Sequence, residues 1–142
     1  MSLSRIRLLC IIPLFVLIAA GINSSQASAS TFYVSTSGRD SNPGTLSAPF
    51  ASPSKAVAAA APGDTIYLRQ GTYTFTSTLV VSKDGLTLSA YQNEKPALAG
   101  STTDLTNLLN MIYITANNVS LVGLEIQGGS YYGVKLESNT GT

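Results

Sequence analysis

The stretch that decides the fold runs from Pro62 to Tyr73 and reads PGDTIYLRQGTY. It opens with a Pro-Gly turn, after which the apolar residues Ile66 and Leu68 alternate with Thr65 and Tyr67. Apolar residues at every second position predict a strand with one buried face. We therefore expect Ile66 and Leu68 to point inward. We expect Gly71-Thr72-Tyr73 to form the corner that follows, because glycine adopts backbone conformations that other residues avoid.

Two copies of one apolar pattern follow this stretch. The first copy has apolar residues at positions 79, 81, 86 and 88, and the second has them at positions 112, 114, 119 and 121, a shift of 33 positions. A polar corner lies in the middle of each copy, at Ser82–Gly85 and at Thr115–Asn118. Each copy therefore predicts a short strand, a tight turn and another short strand. Part of the second copy recurs after a shift of 22 positions, where Val134 and Leu136 follow the same spacing.

A repeat of about 20 to 50 residues with alternating apolar positions is typical of a solenoid, whose coils bury their apolar faces by stacking on one another. We take the shorter shift as the length of one coil and assign the 11 extra positions of the longer shift to an insertion between Tyr91 and Asn110. About three coils then fit in the chain. A β-sandwich with strands spaced in this way is the alternative.

The beginning of the chain has the organisation of an export signal. Arg5 and Arg7 precede an apolar run from Leu8 to Gly21, and Ala27-Ser28-Ala29 has the small residues of a cleavage site. We predict a secreted bacterial protein whose signal peptide, residues 1–29, is cleaved after Ala29. A membrane anchor is the alternative, but the apolar run is shorter than the roughly 20 residues that a spanning helix needs.

Composition excludes several classes of function. Without residues 1–29 the chain has six Lys or Arg and seven Asp or Glu. This net charge of about −1 gives no basic surface for nucleic acid or for an anionic membrane. The chain has no histidine, which excludes histidine catalysis and histidine metal sites from these residues, and its single cysteine, Cys10, lies in the predicted signal peptide.

Residues 30–62 are predicted to form a leading strand, a loop and a capping helix, ahead of coils in residues 63–142. Ser52-Pro53 is a typical helix start, and Pro62-Gly63 ends the alanine-rich run that follows. We expect this small-faced helix to cover the first coil. In the loop, Asp40 and Asn42 are weak calcium candidates, because short polar side chains in turns usually bond to nearby backbone and no other carboxylate lies close in sequence.

These residues resemble a known family. The similarity is carried by Val34–Thr45, Ala48-Pro49-Phe50, the alanine-rich helix, and Pro62–Leu68 with Gly71-Thr72-Tyr73. They resemble the start of secreted right-handed parallel β-helix proteins of the pectate-lyase-like superfamily, above all the family 9 polysaccharide lyases and their uncharacterised relatives. Residues 117–119 and 133–139 look like the general coil repeat of these proteins. The resemblance is specific for fold and weak for function.

The resemblance implies an all-β fold, a right-handed parallel β-helix with a short N-terminal capping helix. For the full-length protein it implies a polysaccharide lyase that acts on an acidic glycan such as pectate by β-elimination. In that reaction acidic side chains hold calcium against a uronate carboxylate, and a basic side chain removes the neighbouring proton. No residue of this chain matches a catalytic, substrate-binding or metal motif of the family, so we assign none, and calcium is expected only in the full-length protein.

The sequence stops in the turn after residues 134–137, without a polar closing element. We therefore expect further β-helix coils beyond Thr142 that carry the active site, and a chain that is inactive alone. The alternative for the whole protein is a non-catalytic surface protein whose β-helix binds glycan or serves as a structural stalk.

A few residues are weak candidates for glycan contact. Glu125, Lys135 and Glu137 are predicted to face outward, and Tyr131 and Tyr132 adjoin a corner. Outward charges on a solenoid are usually only solvated, and paired tyrosines usually pack over the coil. The remaining acidic residues of the predicted coils occur singly in the sequence: Asp64, Asp84, Glu94 and Asp104.

Overall fold

The computed structural model describes residues 28–100, 110–128 and 132–137. Within these residues it contains one helix and ten strands. They are α1 (Pro53–Ala59), β1 (Thr31–Val34), β2 (Thr65–Leu68), β3 (Gly71–Phe75), β4 (Leu79–Val81), β5 (Thr87–Ala90), β6 (Pro96–Gly100), β7 (Asn110–Ile114), β8 (Ser120–Val122), β9 (Glu125–Gln127) and β10 (Tyr132–Leu136). This part of the chain contains no helix that is long and apolar enough to cross a membrane.

The strands form three parallel sheets. Sheet A has the order β1-β2-β5-β8, sheet B has β3-β6-β9, and sheet C has β4-β7-β10. From β2 onward the chain passes through sheets A, B and C in turn, three times, and each strand pairs with the equivalent strand one coil later. This is a parallel β-helix of three coils, as the repeat predicted. The alternative of a β-sandwich is wrong, because a sandwich is built from antiparallel pairs.

The strand register confirms the repeat lengths. Paired residues are 22 positions apart between β2 and β5 and between β7 and β10, and 33 apart between β4 and β7. The offset between β3 and β6 is 25. The 11 extra positions are therefore split, with three between β5 and β6 and eight between β6 and β7.

Inward-facing side chains stack into a continuous core. In sheet A the stack runs through Ile66 and Leu88, which pair in register and have no exposed surface. Leu98 in sheet B and Ile112 in sheet C are equally buried. The alternation in β2 is as predicted, with Thr65 and Tyr67 more exposed than Ile66 and Leu68.

Burial decreases on the third coil. Leu136 pairs with the buried Ile114 but is 72% exposed, and Ile126 pairs with the buried Leu98 but is 37% exposed. Within the described residues, β8, β9 and β10 each pair on one side only. We call this apolar surface the end face; it consists of Leu121, Leu124, Ile126, Val134 and Leu136.

The opposite end of the stack is capped by α1, as predicted. Ser52 is the N-cap, and its hydroxyl accepts a hydrogen bond of 3.2 Å from the backbone N–H of Lys55. Ala56 and Val57 are buried against the first coil. The ammonium group of Lys83, on the turn after β4, donates to the carbonyl oxygens of residues 57, 58 and 60. A cation at these carbonyls stabilises the C-terminus of a helix, where the helix dipole is negative.

The leading loop covers the outer edge of β1. The backbone N–H of Tyr33 donates to the carbonyl of Gly44 at 2.8 Å, and the N–H of Phe50 donates to the carbonyl of Tyr33 at 2.9 Å. Gly44 has φ of +80° and touches the Phe50 ring so closely that a Cβ would lie 2.3 Å from it. The exposed hydrogen-bonding edge of the first sheet is thus closed by the chain itself.

The predicted corner at Gly71-Thr72-Tyr73 is wrong. These residues begin β3, and the corner is formed by Arg69 and Gln70. Gly71 has φ of +145°, and a Cβ at this position would lie 2.6 Å from the side chain of Thr36. The glycine is therefore needed for close approach to the leading loop at the first residue of a strand.

Candidate functional site

Tyrosine rings cluster on the outer face of sheet A. Tyr33 and Tyr67 are register partners whose ring centroids lie 5.7 Å apart in a stacked arrangement. Tyr91, directly after β5, packs edge-on against both rings at 5.7 and 5.8 Å. The guanidinium carbon of Arg69 lies 5.0 Å from the centroid of the Tyr91 ring. We call these four residues with Glu94 the tyrosine patch.

An ion pair fixes this group in place. The Nε of Arg69 donates to both carboxylate oxygens of Glu94, at 3.0 and 2.9 Å, and Nη2 lies 2.9 Å from Oε1. The backbone N–H of Gln70 donates to the same carboxylate at 2.6 Å. Hydrogen bonds from Arg69, and next from Gln70, hold the pKa of Glu94 below its ordinary value although its partial burial opposes this. The ion pair therefore joins the corner of one coil to the corner of the next.

Tyr73 anchors the same region from inside the coil. Its hydroxyl oxygen lies 2.8 Å from the carbonyl oxygen of Arg69 and 3.1 Å from that of Val34, and the two acceptors share its single proton. Burial raises the pKa of Tyr73 to about 12. Arg69 is thus held twice: Glu94 binds its side chain outside the coil, and Tyr73 binds its backbone carbonyl inside the coil.

The ion pair predicts a measurable pH dependence. Because the folded-state pKa of Glu94 is lowered, its contribution to stability is complete above the ordinary value of 4.5 and is lost as the pH falls through the lowered pKa. In a carboxyl-carbon NMR titration, we expect the pKa of Glu94 to lie below its ordinary value in the wild-type chain and to rise in Arg69→Met, which removes the larger of the two hydrogen-bonding causes.

Lys135→Met is the control for this titration, since Lys135 contacts Tyr113 on another sheet and should leave Glu94 unchanged. An identical Glu94 midpoint in wild type and Arg69→Met would show that the ion pair does not form in solution.

A second polar group lies on the outer face of sheet C. Lys135 and Glu137 are both exposed, as predicted, and meet around Tyr113 of the preceding coil. The Lys135 ammonium lies 5.1 Å from the Tyr113 ring centroid, and the Tyr113 hydroxyl donates to Glu137. This hydrogen bond raises the pKa of Tyr113. Glu125 is also exposed, but it lies on β9 in sheet B and does not join this group.

The other acidic residues of the described chain hold backbone groups. Asp40 accepts hydrogen bonds of 2.9 Å from the N–H groups of Ala51 and Ser52, and Asn42 donates to a backbone carbonyl, so the structure favours the turn role over a calcium role. Asp64, 3% exposed, accepts two backbone hydrogen bonds.

Asp84 accepts a hydrogen bond of 2.8 Å from the backbone N–H of Asn117 on the next coil. Across residues 28–100, 110–128 and 132–137 no three Asp, Glu, Cys or His side chains come together as a metal site. Asp104 and Tyr131 lie outside the described residues, as does the side chain of Tyr132.

The described part of the chain also contains open depressions, of which two are well formed. One, of about 270 Å³, lies between α1 and β4 and is lined by serine hydroxyls, apolar residues and Lys83. The other, of about 360 Å³, adjoins the end face and is lined by residues that include Asn117, Leu136 and Glu137. The first has no acidic residue and the second has one, so neither provides the carboxylate set that a calcium ion requires.

Residues 32–142 match the family model described as the Pel9A-like, right handed beta helix region. The chain belongs to this family. The match covers the leading strand, the cap and all three coils of the described chain. It confirms the resemblance seen in the sequence, and it identifies the solenoid as a right-handed parallel β-helix.

The chain is also similar to two proteins that are named for lyase activity. It is 43% identical over 77 residues to the pectate lyase PEL9 of Emericella nidulans, an alignment that covers 51% of this chain and 19% of that protein. It resembles the solved structure of a rhamnogalacturonan lyase with a TM-score of 0.57 and 25% identity, over 69% of this chain and 28% of that one. The Pel9A-like chain thus spans less than a third of either relative.

Sequence reasoning did not find the tyrosine patch, although the repeat contains part of the information. Residue 91 follows residue 69 by 22 positions, which is one coil, so Tyr91 and Arg69 occupy equivalent places on successive coils. Tyr33 and Tyr67 become neighbours only through the pairing of β1 with β2, at an offset of 34 positions that the repeat does not contain.

Proposed function

We propose that the chain forms the N-terminal coils of a secreted polysaccharide lyase that cleaves uronate glycans by β-elimination. The observation that carries this proposal is membership of the Pel9A-like β-helix family, together with similarity to a protein named as a pectate lyase. The rhamnogalacturonan lyase neighbour supports the same class of substrate. An acidic polysaccharide such as pectate is then the binding partner.

The two ends of the described coil stack differ in how far they are covered. One end is closed by α1 and the leading loop, whereas the end face exposes apolar side chains and three strand edges. A further coil in the same register would bury both, because each strand would gain a partner and each inward side chain would gain a neighbour. We propose that such coils follow and that they carry the active site.

The chemistry of β-elimination makes specific demands on those coils. The proton next to a uronate carboxylate becomes removable only when the carboxylate charge is offset. Calcium held by several carboxylates can offset this charge, and a lysine or arginine base can then remove the proton. The six acidic residues of the described chain do not form a calcium site, because four of them bond to backbone groups or to Arg69 and no three of them come together. We place calcium and the base on the proposed further coils.

The test is to sequence the coding DNA beyond Thr142 and to produce both the extended protein and the present chain. We expect the extended protein to release unsaturated uronates from polygalacturonate with calcium present, to lose this activity on chelation, and to regain it when calcium is restored. The present chain should release none. Release by the present chain, or no release by an extended protein that contains an acidic cluster with a lysine, would contradict the proposal.

A second candidate is a non-catalytic β-helix that binds glycan or acts as a stalk. It is favoured by the structural roles of Asp40 in the leading loop and of Asp64 and Asp84 in the coils, since each of these carboxylates accepts backbone hydrogen bonds. Further coils without an acidic cluster, leading into an adhesive or wall-binding domain, would identify this alternative.

A further inference from the structure

We propose that the tyrosine patch, on the outer face of sheet A, is a contact site for an acidic polysaccharide. The glycan class rests on the proposed function, but the site itself is argued from its own geometry. Tyr33, Tyr67, Tyr91 and Arg69 all keep part of their surface exposed. Their outward neighbours on sheet A are small and polar, as at Thr65, Thr87 and Ser89.

Contacts among its own side chains hold the tyrosine patch together without a ligand. Three rings contact one another, and the guanidinium of Arg69 is held between the Tyr91 ring and the carboxylate of Glu94. Tyrosine provides a large contact area with few rotatable bonds, so binding to an ordered tyrosine surface loses little conformational entropy. The group on sheet C offers a single ring, Tyr113, and therefore less aromatic contact area.

The polar groups of the patch match a uronate. Arginine presents five N–H donors in a planar fork that fits carboxylates. The contacts with Glu94 use Nε and Nη2, and among the described residues Nη1 has no hydrogen-bond partner. The charges of Arg69, Glu94 and the neighbouring Lys95 sum to one positive charge, which favours an anionic glycan over a neutral one.

Side-chain amides lie next to the rings, and one of them belongs to a residue with an unusual backbone conformation. Gln70, Gln92 and Asn93 are exposed, and the Gln92 side chain donates to the Tyr91 hydroxyl at 3.3 Å. Gln92 has φ of +52°, which is uncommon for a residue other than glycine and is unfavourable in energy. The patch thus places three kinds of group side by side. Aromatic faces suit the apolar C–H surface of a sugar ring, amides suit its hydroxyls, and the guanidinium suits its carboxylate.

The experiment measures binding of an oligogalacturonate of defined length to the full chain, immobilised at low density so that the chains cannot associate. We expect Tyr91→Ser to weaken binding about tenfold, equivalent to roughly 1.4 kcal/mol. Arg69→Lys keeps the charge but removes the planar fork, and we expect it to weaken binding several-fold. Tyr67→Thr provides a third variant, and a melting curve confirms that each variant is folded.

Tyr113→Ser is the matched control, because Tyr113 is also an outward tyrosine beside a cation but lies on sheet C. We expect it to bind within twofold of wild type. No binding by the wild-type chain, or an equal loss in Tyr113→Ser, would overturn the proposal and show that the rings only stabilise strand pairing. Equal affinity for a neutral galactan would overturn the role of Arg69.

The two proposals fail separately. If the extended protein releases unsaturated uronates and the tyrosine patch binds no oligogalacturonate, the lyase function stands and the patch proposal is wrong. If the patch binds and the extended protein releases nothing, the binding site stands and the lyase function is wrong.

Discussion

Replacing Leu88 with alanine is expected to lower the free energy of unfolding by about 3–4 kcal/mol, whereas Leu136→Ala lowers it by less than about 0.5 kcal/mol. Both changes remove the same atoms from an inward position of a strand. Leu88 has no exposed surface and lies between Ile66 and Leu121, so its loss leaves a cavity that neighbours on both sides cannot fill. Leu136 is 72% exposed, so its loss leaves no cavity.

Chemical denaturation followed by far-ultraviolet circular dichroism measures the difference, with equal slopes in denaturant showing that the same structure unfolds in each variant. Leu121→Ala, at a partly exposed position in register with Leu88, should fall between the two. If Leu136→Ala is as destabilising as Leu88→Ala, the end face is covered in solution. A second copy of the chain would then be the candidate cover, and the oligomeric state would identify it.

The parts of the fold that depend on spacing could be predicted from the sequence. Inward residues follow from alternation, and the coil length follows from the offset of 22 positions, which the pairing of Val134 with Ile112 confirms. The start of α1 at Ser52-Pro53 could also be predicted, because a capping hydroxyl and a proline act within one turn of the chain.

Contacts between elements that the repeat spacing does not bring together could not be predicted from the sequence. Lys83 reaches helix carbonyls 23 to 26 positions earlier, and this contact exists only because α1 lies against β4. Arg69 meets Glu94 at an offset of 25 positions rather than 22, since three inserted residues displace Glu94 from the repeat. The error at Gly71 has the same origin, because the glycine is required by its φ of +145° and by contact with Thr36 at the start of a strand, not by a turn.

Asp64 shows most clearly how a residue that looks like a surface acid becomes a structural one. It follows a Pro-Gly turn, which usually places a polar side chain in water. In the structure Oδ1 accepts from the N–H of Ser30 and Oδ2 from the N–H of Ala61, each at 2.7 Å. One carboxylate thus joins the start of β1, the segment after α1 and the start of β2.

We therefore expect Asp64→Ala to lower the free energy of unfolding by about 2–3 kcal/mol, because two backbone N–H groups lose a charged acceptor at a buried site. Asp64→Asn should recover less than half of this loss, since an amide offers one acceptor and turns a donor toward the other N–H. Asp84→Ala is the matched control. Asp84 occupies a similar corner but is less buried and accepts one backbone hydrogen bond, so its loss should be below about 1 kcal/mol.

The measurement is again denaturation, combined with amide hydrogen exchange at Ser30 and Ala61. Loss of the carboxylate should speed exchange at both amides in Asp64→Ala and at neither in Asp84→Ala, because only the first variant removes their acceptor. Equal stability of the two variants would mean that water replaces the carboxylate without loss. The cap would then be held by the apolar contacts of Ala56 and Val57 and by Lys83, and Asp64 would be free to vary.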